Sequence, residues 1–181
     1  MGELETNQGY RGPVSSLVVK LIFMAIRYRT FHFSASDFDE VTMLLRANHH
    51  VNEQNFWVHI EPMVEEGEVH QSSIFWRMFS SRGPIIPKFT WVPSYEKKGQ
   101  VVPAQIGITH PVGTKAIERL KGFEVEFPQG WILHQDHPKR GMVISLPEGY
   151  SQDQVVSFAV RTLEILSPFD FDGNYVASVT T

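Results

Sequence analysis

The sequence contains no cysteine at any of its 181 positions. This absence excludes disulfides, thiolate nucleophiles, iron–sulfur clusters and zinc sites built from cysteine. It suits a reducing compartment, and no Asn-X-Ser/Thr acceptor points to a glycosylated secreted protein. The sequence therefore predicts a cytoplasmic location.

Several motifs that mark common enzyme classes are also missing. The chain has no phosphate-binding Gly-x-x-x-x-Gly-Lys, no Gly-x-Gly-x-x-Gly, no Gly-x-Ser-x-Gly and no His-Glu-x-x-His. Their absence weakens the nucleotide-binding, hydrolase and zinc-protease interpretations. No cofactor is predicted.

Long apolar segments are scarce. The best membrane candidate, Val14–Ile26, is interrupted by Lys20 and is shorter than the roughly 20 residues that span a bilayer. Its upstream flank is acidic, whereas a signal peptide opens with positive charge. We expect this segment to belong to the core, as strand or helix, and expect no membrane association.

The net charge of −4 is unevenly distributed along the chain. The local sums are +2 for residues 1–36, −7 for 37–68, +6 for 69–121 and −5 for 122–181. Blocks of opposite sign steer a charged partner or drive self-association, unless folding interleaves them into a mixed surface. The acidic total argues against a nucleic-acid partner.

The segment Asn55–Phe79 predicts a β-hairpin, because two β-rich runs flank a charged segment that contains Gly67. A two-residue turn at residues 66–67 places Trp57 opposite Trp76. Alternation then separates two sets of side chains in the first run: Phe56, Val58 and Ile60 on one face, and Trp57, His59, Glu61 and Met63 on the other. We expect this hairpin to be central in a sheet.

The remaining periodicities alternate between helix and strand. Helices are predicted at residues 37–48, 111–121 and 151–167, and the last begins at the capping residue Ser151. Strands are predicted at residues 28–33, 88–92 and 101–109, followed by a three-stranded meander at 123–127, 131–134 and 142–146. The predicted fold class is α+β: a mainly antiparallel sheet of about six to eight strands with three helices packed on it.

The domain division follows from these elements. Residues 1–13 form a polar N-terminal arm, and residues 14–168 form a single α+β domain with possible halves at 14–92 and 101–168. Residues 169–181 form a C-terminal tail. Its aromatic content predicts that the tail docks on this chain or on a neighbour.

The run Gly122–Trp131 resembles the strand-and-turn opening of PsbP/Mog1-like domains. The resemblance covers ten residues and implies an alternating strand that ends in a turn. It carries no functional residue to this chain.

The second face of the predicted hairpin holds the best catalytic candidates. His59 and Glu61 are neighbours at spacing two, and His70 lies diagonally across the ladder. Two imidazoles and a carboxylate on one rigid face suit a metal or an acid–base pair. The alternative is that they are hydrogen-bonded residues of a covered sheet.

A second cluster, His134, Asp136 and His137, offers ligands for a metal. It falls at a turn between two predicted strands. The alternative is that Asp136 and His137 shape that turn.

A proline-rich segment, residues 80–103, mixes aromatic and basic side chains. Such a mixture is typical of protein-binding loops. The predicted partner-binding residues are Phe89, Trp91, Tyr95, Lys97 and Lys98. The alternative is that Phe89 and Trp91 fill the core.

These features predict a non-enzymatic interaction or assembly subunit, whose partner is another protein or further copies of this chain. The polarised charge, the aromatic proline-rich segment and the missing catalytic motifs support that prediction. One alternative is a metal-dependent or acid–base enzyme that uses the hairpin histidines. Another is a small-ligand-binding domain with a pocket between the sheet and the helices.

Overall fold

The computed structural model describes residues 29–52, 54–64, 86–111 and 115–180. The described helices are α1 (Asp39–Ala47), α2 (Ala116–Gly122) and α3 (Gln152–Leu166). The described strands are β1 (Arg29–Ser34), β2 (His50–Val51), β3 (Trp57–Pro62), β4 (Lys88–Val92), β5 (Ser94–Lys97), β6 (Gln100–Val102), β7 (Gln105–Thr109), β8 (Ile132–His137), β9 (Gly141–Ser145) and β10 (Asn174–Thr180).

Seven of these strands form one antiparallel sheet, the main sheet, in the order β1-β10-β3-β4-β7-β9-β8. A small sheet has the order β2-β5-β6, and β2 pairs with β5 in parallel. The three helices and the antiparallel main sheet confirm the predicted α+β class.

Alternation along the strands of the main sheet separates a core face from a second face. Core-face side chains join those of all three helices in one hydrophobic cluster, whose sheet members include Val58, Ile60, Phe89, Trp91, Ile106, Ile108, Met142, Ile144, Tyr175, Ala177 and Val179. The sheet is therefore covered by the helices on its core face.

Helix α3 packs across the middle of the main sheet, against β3 and β4. It begins where predicted, since the Ser151 hydroxyl accepts a hydrogen bond from the Gln154 amide at 3.4 Å. It ends at Leu166, two residues before Pro168. Both sides of its apolar stripe are buried, because the helix contacts the sheet and the two other helices.

Strand β3 is central, as predicted, but its neighbours are not the predicted ones. Ile60 pairs with Ala177 of β10 on one side and with Phe89 of β4 on the other. Both edges of residues 58–60 are thus occupied, so the predicted pairing of this run with residues 69–79 is wrong there. Residues 65–85 lie outside the described part of the chain.

The C-terminal segment contributes β10 to the interior of the main sheet, between β1 and β3. Its alternating sequence places Tyr175, Ala177 and Val179 on the core face. This segment therefore docks on the same chain as a complete strand of the main sheet. The division into arm, domain and tail stays a prediction, and residues 1–28 lie outside the described residues.

The predicted strand at residues 123–127 is not formed. Glu124 adopts a left-handed conformation with φ of 58°, and the Val125 amide donates to the Leu120 carbonyl at 3.0 Å to close the end of α2. A residue in the left-handed region interrupts the extended backbone that a strand requires. The predicted meander is therefore a hairpin of β8 and β9.

The predicted strand at residues 101–109 is divided between the two sheets. Residues 100–102 form β6 of the small sheet, and β7 begins after Pro103 in the main sheet. Between β5 and β6, Lys98 and Gly99 have φ of 54° and 75°. Two consecutive positive φ values are typical of a type I′ hairpin turn.

Candidate functional site

The second face of the main sheet carries the candidate catalytic residues His59 and Glu61. A cross-strand row places His59 between Ser178 of β10 and Thr90 of β4, with Gly107 of β7 beyond Thr90. His59 Nδ1 and Thr90 Oγ1 are hydrogen-bonded at 2.8 Å. The imidazole is thus held in one orientation by its neighbouring strand.

Glu61 is engaged by a cation on the same face. Its Oε1 lies 2.6 Å from Lys88 Nζ, and both side chains are half-exposed. An ion pair at this exposure contributes about 1 kcal/mol or less to stability. Its chemical consequence is that the Glu61 carboxylate, which lies next to His59, is already paired with the Lys88 ammonium group.

Burial lowers the pKa of His59 below its usual 6.5, and the nearby positive charge of Lys88 lowers it further. The carboxylate of Glu61 opposes the shift only in part. Since loss of water disfavours the charged imidazolium, His59 is neutral at pH 7. A neutral, oriented imidazole is the form that accepts a proton in acid–base chemistry.

The lowered pKa makes the contribution of His59 to stability dependent on pH. The unfolded chain binds a proton at His59 more readily than the folded chain does, so stability falls as the pH drops through 6.5 towards the folded pKa. We expect His59→Gln to remove this part of the acid sensitivity. Urea unfolding of both proteins between about pH 5 and pH 8 measures it.

The control for this pH series is Gln105→Ala, a change at a half-buried position of β7 that removes no titratable group. We expect the control to keep the wild-type pH dependence. Equal acid sensitivity of wild type and His59→Gln would contradict the assignment.

The third predicted member of the catalytic set, His70, lies outside the described residues. Across residues 29–52, 54–64, 86–111 and 115–180, no group of three or more His, Asp or Glu side chains is placed to hold a metal. The His59 site therefore offers acid–base groups in the structure, and its metal-binding version stays a prediction.

The second predicted cluster has separate structural roles for each member. His134 Nε2 is hydrogen-bonded to Ser145 Oγ at 2.8 Å, and Asp136 Oδ1 accepts from the Ala116 amide at the start of α2 at 3.0 Å. His137 Nδ1 accepts from the amides of Lys139 and Arg140 at 3.1 and 3.2 Å. Asp136 and His137 thus shape the chain, as the alternative interpretation of this cluster states.

The predicted partner-binding residues are split between core and surface. Phe89 and Trp91 have no exposed side-chain area, and Trp91 Nε1 donates to the Tyr150 hydroxyl at 3.2 Å. Tyr95 is buried as well, whereas Lys97 and Lys98 are exposed at the β5–β6 hairpin. The burial supports the core interpretation for Phe89 and Trp91. Partner contact by Lys97 and Lys98 stays a prediction.

The Tyr150 phenol that accepts the hydrogen bond from Trp91 is itself buried. Burial raises the pKa of Tyr150 to about 12, and the hydrogen bond from Trp91 opposes the rise. The phenol is therefore protonated at neutral pH and accepts from the indole.

Strand β8 is an edge that the sequence did not reveal. It is the last strand of the main sheet, with β9 on one side and no described strand on the other. Ile132 is 59% exposed and Leu133 is 37% exposed. The predicted strand at residues 123–127 was expected to neighbour this segment, and Glu124 prevents it from forming. In the sequence, only Gly122 and the charged residues that follow it could have indicated that this neighbouring strand does not form.

Charged side chains of opposite sign lie before and after β8. Glu124 and Glu126 are exposed in the segment that leads into the strand, and Lys139 and Arg140 are exposed in the turn that follows it. Among the described ion pairs, none uses these four side chains.

Two open clefts bear on the ligand-binding alternative. One of about 570 Å³ lies between the small sheet and the loop before α3, and its lining includes His50, Glu148 and Tyr150. Another of about 620 Å³ lies beside the end of α3, where Arg119 and Asp170 contribute opposite charges. Each lining mixes charged, polar and apolar side chains, so neither cleft indicates a particular class of ligand.

Among the described residues, no helix has the length and apolar character needed to cross a bilayer. Comparisons with known proteins found no match to this chain among protein-family models, curated proteins or solved structures.

Proposed function

We propose that this chain is a non-enzymatic interaction or assembly protein that binds a partner protein along β8 of its main sheet. The observation that carries the proposal is an edge strand with two exposed aliphatic side chains, Ile132 and Leu133. An edge strand offers backbone amides and carbonyls to an added strand, and side chains on its two faces provide specificity.

The two aliphatic side chains lie on opposite faces of the sheet. Leu133 pairs with Ile144, whose side chain belongs to the core face, and Ile132 pairs with Ser145 on the second face. An added strand would therefore cover apolar surface on both sides. Burial of such surface contributes about 25 cal/mol per Å² before the costs of association.

The sequence of β8 lacks the residues that commonly protect an edge. Ile132–His137 contains no lysine, arginine or proline, and lysine and proline are usual barriers to further strand pairing. A bulge between Leu133 and Gln135 interrupts the ladder to β9, so regular pairing of an added strand is limited to the parts of β8 on either side of it. These properties support selective pairing.

The variant Ile132→Lys tests this function, with Val101→Lys as its matched control. Val101 is a 66% exposed aliphatic residue on β6 of the small sheet, so both changes add one charge at an exposed strand position. Native mass spectrometry of tagged protein purified gently from its source is the measurement. We expect the partner chain bound by wild type to be retained by Val101→Lys and lost from Ile132→Lys.

The proposal fails if Ile132→Lys retains every chain that wild type binds. It also fails if wild type carries no additional chain of any kind. In either case the edge would be a solvent-facing strand without a partner.

A second candidate function is acid–base catalysis at His59. The specific observation in its favour is a neutral, half-buried imidazole oriented by Thr90 beside an ion pair. Glutamine in place of His59 keeps a side chain that is able to hydrogen-bond to Thr90, and it removes the group that accepts a proton. Loss of a measured turnover in that variant, with unchanged folding, would favour this function over partner binding.

A further inference from the structure

We propose that the segment Val14–Ile26 of this chain docks on the second face of the main sheet, over β1, β10, β3 and β4. The segment belongs to the part of the chain that precedes the described residues. The proposal goes beyond the proposed function, because it concerns a surface centred on β10 and β3 and not the β8 edge. It gives the segment, which the sequence assigns to a core, a specific packing partner.

The second face carries no helix in the part of the chain that the structure describes. The helices α1, α2 and α3 all contribute buried side chains to the core-face cluster. Four side chains of the second face are apolar and only half-buried: Trp57, Val92, Val143 and Val176. A sheet face with such side chains gains free energy when another element covers it.

The row through the centre of the second face consists mainly of small residues. Ser178, Thr90 and Gly107 occupy positions on β10, β4 and β7, and His59 lies between the first two. Small residues in a sheet leave space for the close approach of another segment, whose larger side chains pack against them. Cover over this row would also contribute to the burial that lowers the pKa of His59.

The segment Val14–Ile26 has extensive apolar surface to remove from water. Ten of its 13 residues are apolar, and the exceptions are Ser15, Ser16 and Lys20. The segment is shorter than the roughly 20 residues that span a bilayer. Burial against the protein is therefore the favourable outcome for these side chains.

The point where the segment joins the described chain places it beside the second face. Two residues separate the segment from Arg29 of β1. Arg29 pairs with Val179, and the next row along β10 and β3 is that of Thr180 and Trp57, on the second face. The connecting residues span about 10 Å, which is about the distance between a sheet and a layer packed on it.

Other routes from the start of β1 are less favourable. On the core face, the Arg29 guanidinium lies over the Phe31 ring, 5.3 Å from its centroid, and helix α1 contacts β1. A two-residue hairpin back along β1 would place Arg27 and Tyr28 at turn positions that favour glycine, asparagine or aspartate. The second face remains as the apolar surface within reach.

The length of the segment matches the four strands that it would cover. Its 13 residues extend about 20 Å as a helix and further as a strand. Four strands at a spacing of about 4.8 Å span about 15 Å from the first to the last. The segment therefore reaches across β1, β10, β3 and β4 in either conformation.

The pattern of the segment provides one apolar side and one polar side. Leu17 and Leu21 share a side in either conformation, because residues four apart lie on the same face of a helix and of a strand. Ser16 and Lys20 share another side for the same reason. We expect the leucines to contact the sheet and the serine and lysine to face water.

Thiol labelling tests the proposal in the full-length protein, since the chain has no cysteine of its own. Ser178→Cys places a single thiol at the centre of the second face, and Ala177→Cys places one on the core face of the same strand. The rate of alkylation by iodoacetamide is measured for each. We expect both thiols to react at least about tenfold more slowly than the thiol of Ser36→Cys, which lies at an exposed position.

A charge on the apolar side of the segment is expected to uncover the second face. Leu21→Asp should raise the labelling rate at position 178 at least about fivefold and leave position 177 slow, because a carboxylate is costly to bury. The matched control is Ser16→Asp, which adds the same charge on the polar side and should change neither rate. Leu21→Ala is the milder variant, and it should raise the rate at position 178 alone. It decides the result if Leu21→Asp opens both positions.

Several results would overturn the proposal. A thiol at position 178 that reacts as fast as that of Ser36→Cys would show an open face. A rise caused by Phe75→Asp and not by Leu21→Asp would assign the cover to residues 65–85, and a rise on dilution would assign it to a second copy. A slow rate that no substitution changes would exclude the segment as the cover, and equal rises at both positions in Leu21→Ala would place it in the core.

Discussion

Gly141→Ala is expected to destabilise the protein by more than about 3 kcal/mol, because two independent costs coincide at this residue. Gly141 has φ of +79°, and a Cβ placed there would lie 2.0 Å from the Ile108 carbonyl oxygen of β7. The obstruction is backbone, so no side-chain rotation relieves it. Strands β7 and β9 would have to separate at the start of β9.

The matched control is Gly149→Ala. Gly149 has a similar φ of +71°, but no heavy atom lies within 4 Å of the position that an alanine Cβ would take. Its cost is the conformational one alone, about 1–2 kcal/mol. Equilibrium urea unfolding of both variants measures the difference. Equal destabilisation would show that the close approach at Ile108 is relieved by a small shift.

Trp91→Ala is expected to cost about 3–5 kcal/mol of unfolding free energy, which is a large part of the stability of an ordinary domain. Trp91 is among the largest side chains with no exposed area, and it contacts Phe56 edge to face with ring centroids 6.3 Å apart. Truncation leaves a cavity on the core face of the sheet and removes the hydrogen bond to Tyr150.

Trp57→Ala on the adjacent strand is the control for Trp91→Ala. Trp57 lies on the second face and is only half-buried, so its truncation removes less contact and creates no closed cavity. We expect a smaller loss, measured by the same urea unfolding. If Trp91→Ala unfolded no more readily than Trp57→Ala, the core role would be refuted and surface contact by Trp91 would regain support.

Local patterns were reliable where a single element decides the outcome. The cap at Ser151 and the apolar stripe of α3 predicted the last helix almost to its ends. Alternation in residues 56–60 predicted which side chains share the buried face of β3. These features depend on neighbours within one turn or one strand, so the sequence contains them directly.

Patterns failed where a distant partner decides the outcome. The alternation in β10 was present in the sequence, yet nothing local indicates that this strand enters the sheet between β1 and β3. The hairpin expected for β3 would have paired it with the segment that follows it in the chain. Over residues 58–60, β3 pairs instead with two strands that are distant in the sequence. A turn formed by Lys98 and Gly99 was equally hard to recognise, because asparagine or aspartate usually precedes the glycine.

The candidate sites divide in the same way. His59 and Glu61 were recognised because spacing two places them on one face, but Thr90 and Lys88, which orient and partner them, come from another strand. The edge at β8 depended on Glu124, whose left-handed backbone removes the expected neighbouring strand. No pattern within β8 distinguishes an edge from an interior strand.

The sequence by itself determined the class of this protein: an α+β chain without cysteine, with helices and strands whose apolar faces follow from their own periodicity. Only the tertiary structure decided the order of the strands, and with it which side chains meet on the second face and which strand remains at the edge. The physical reason is that alternation specifies which face of a strand is buried. It does not specify the neighbour, since every strand offers the same backbone hydrogen bonds.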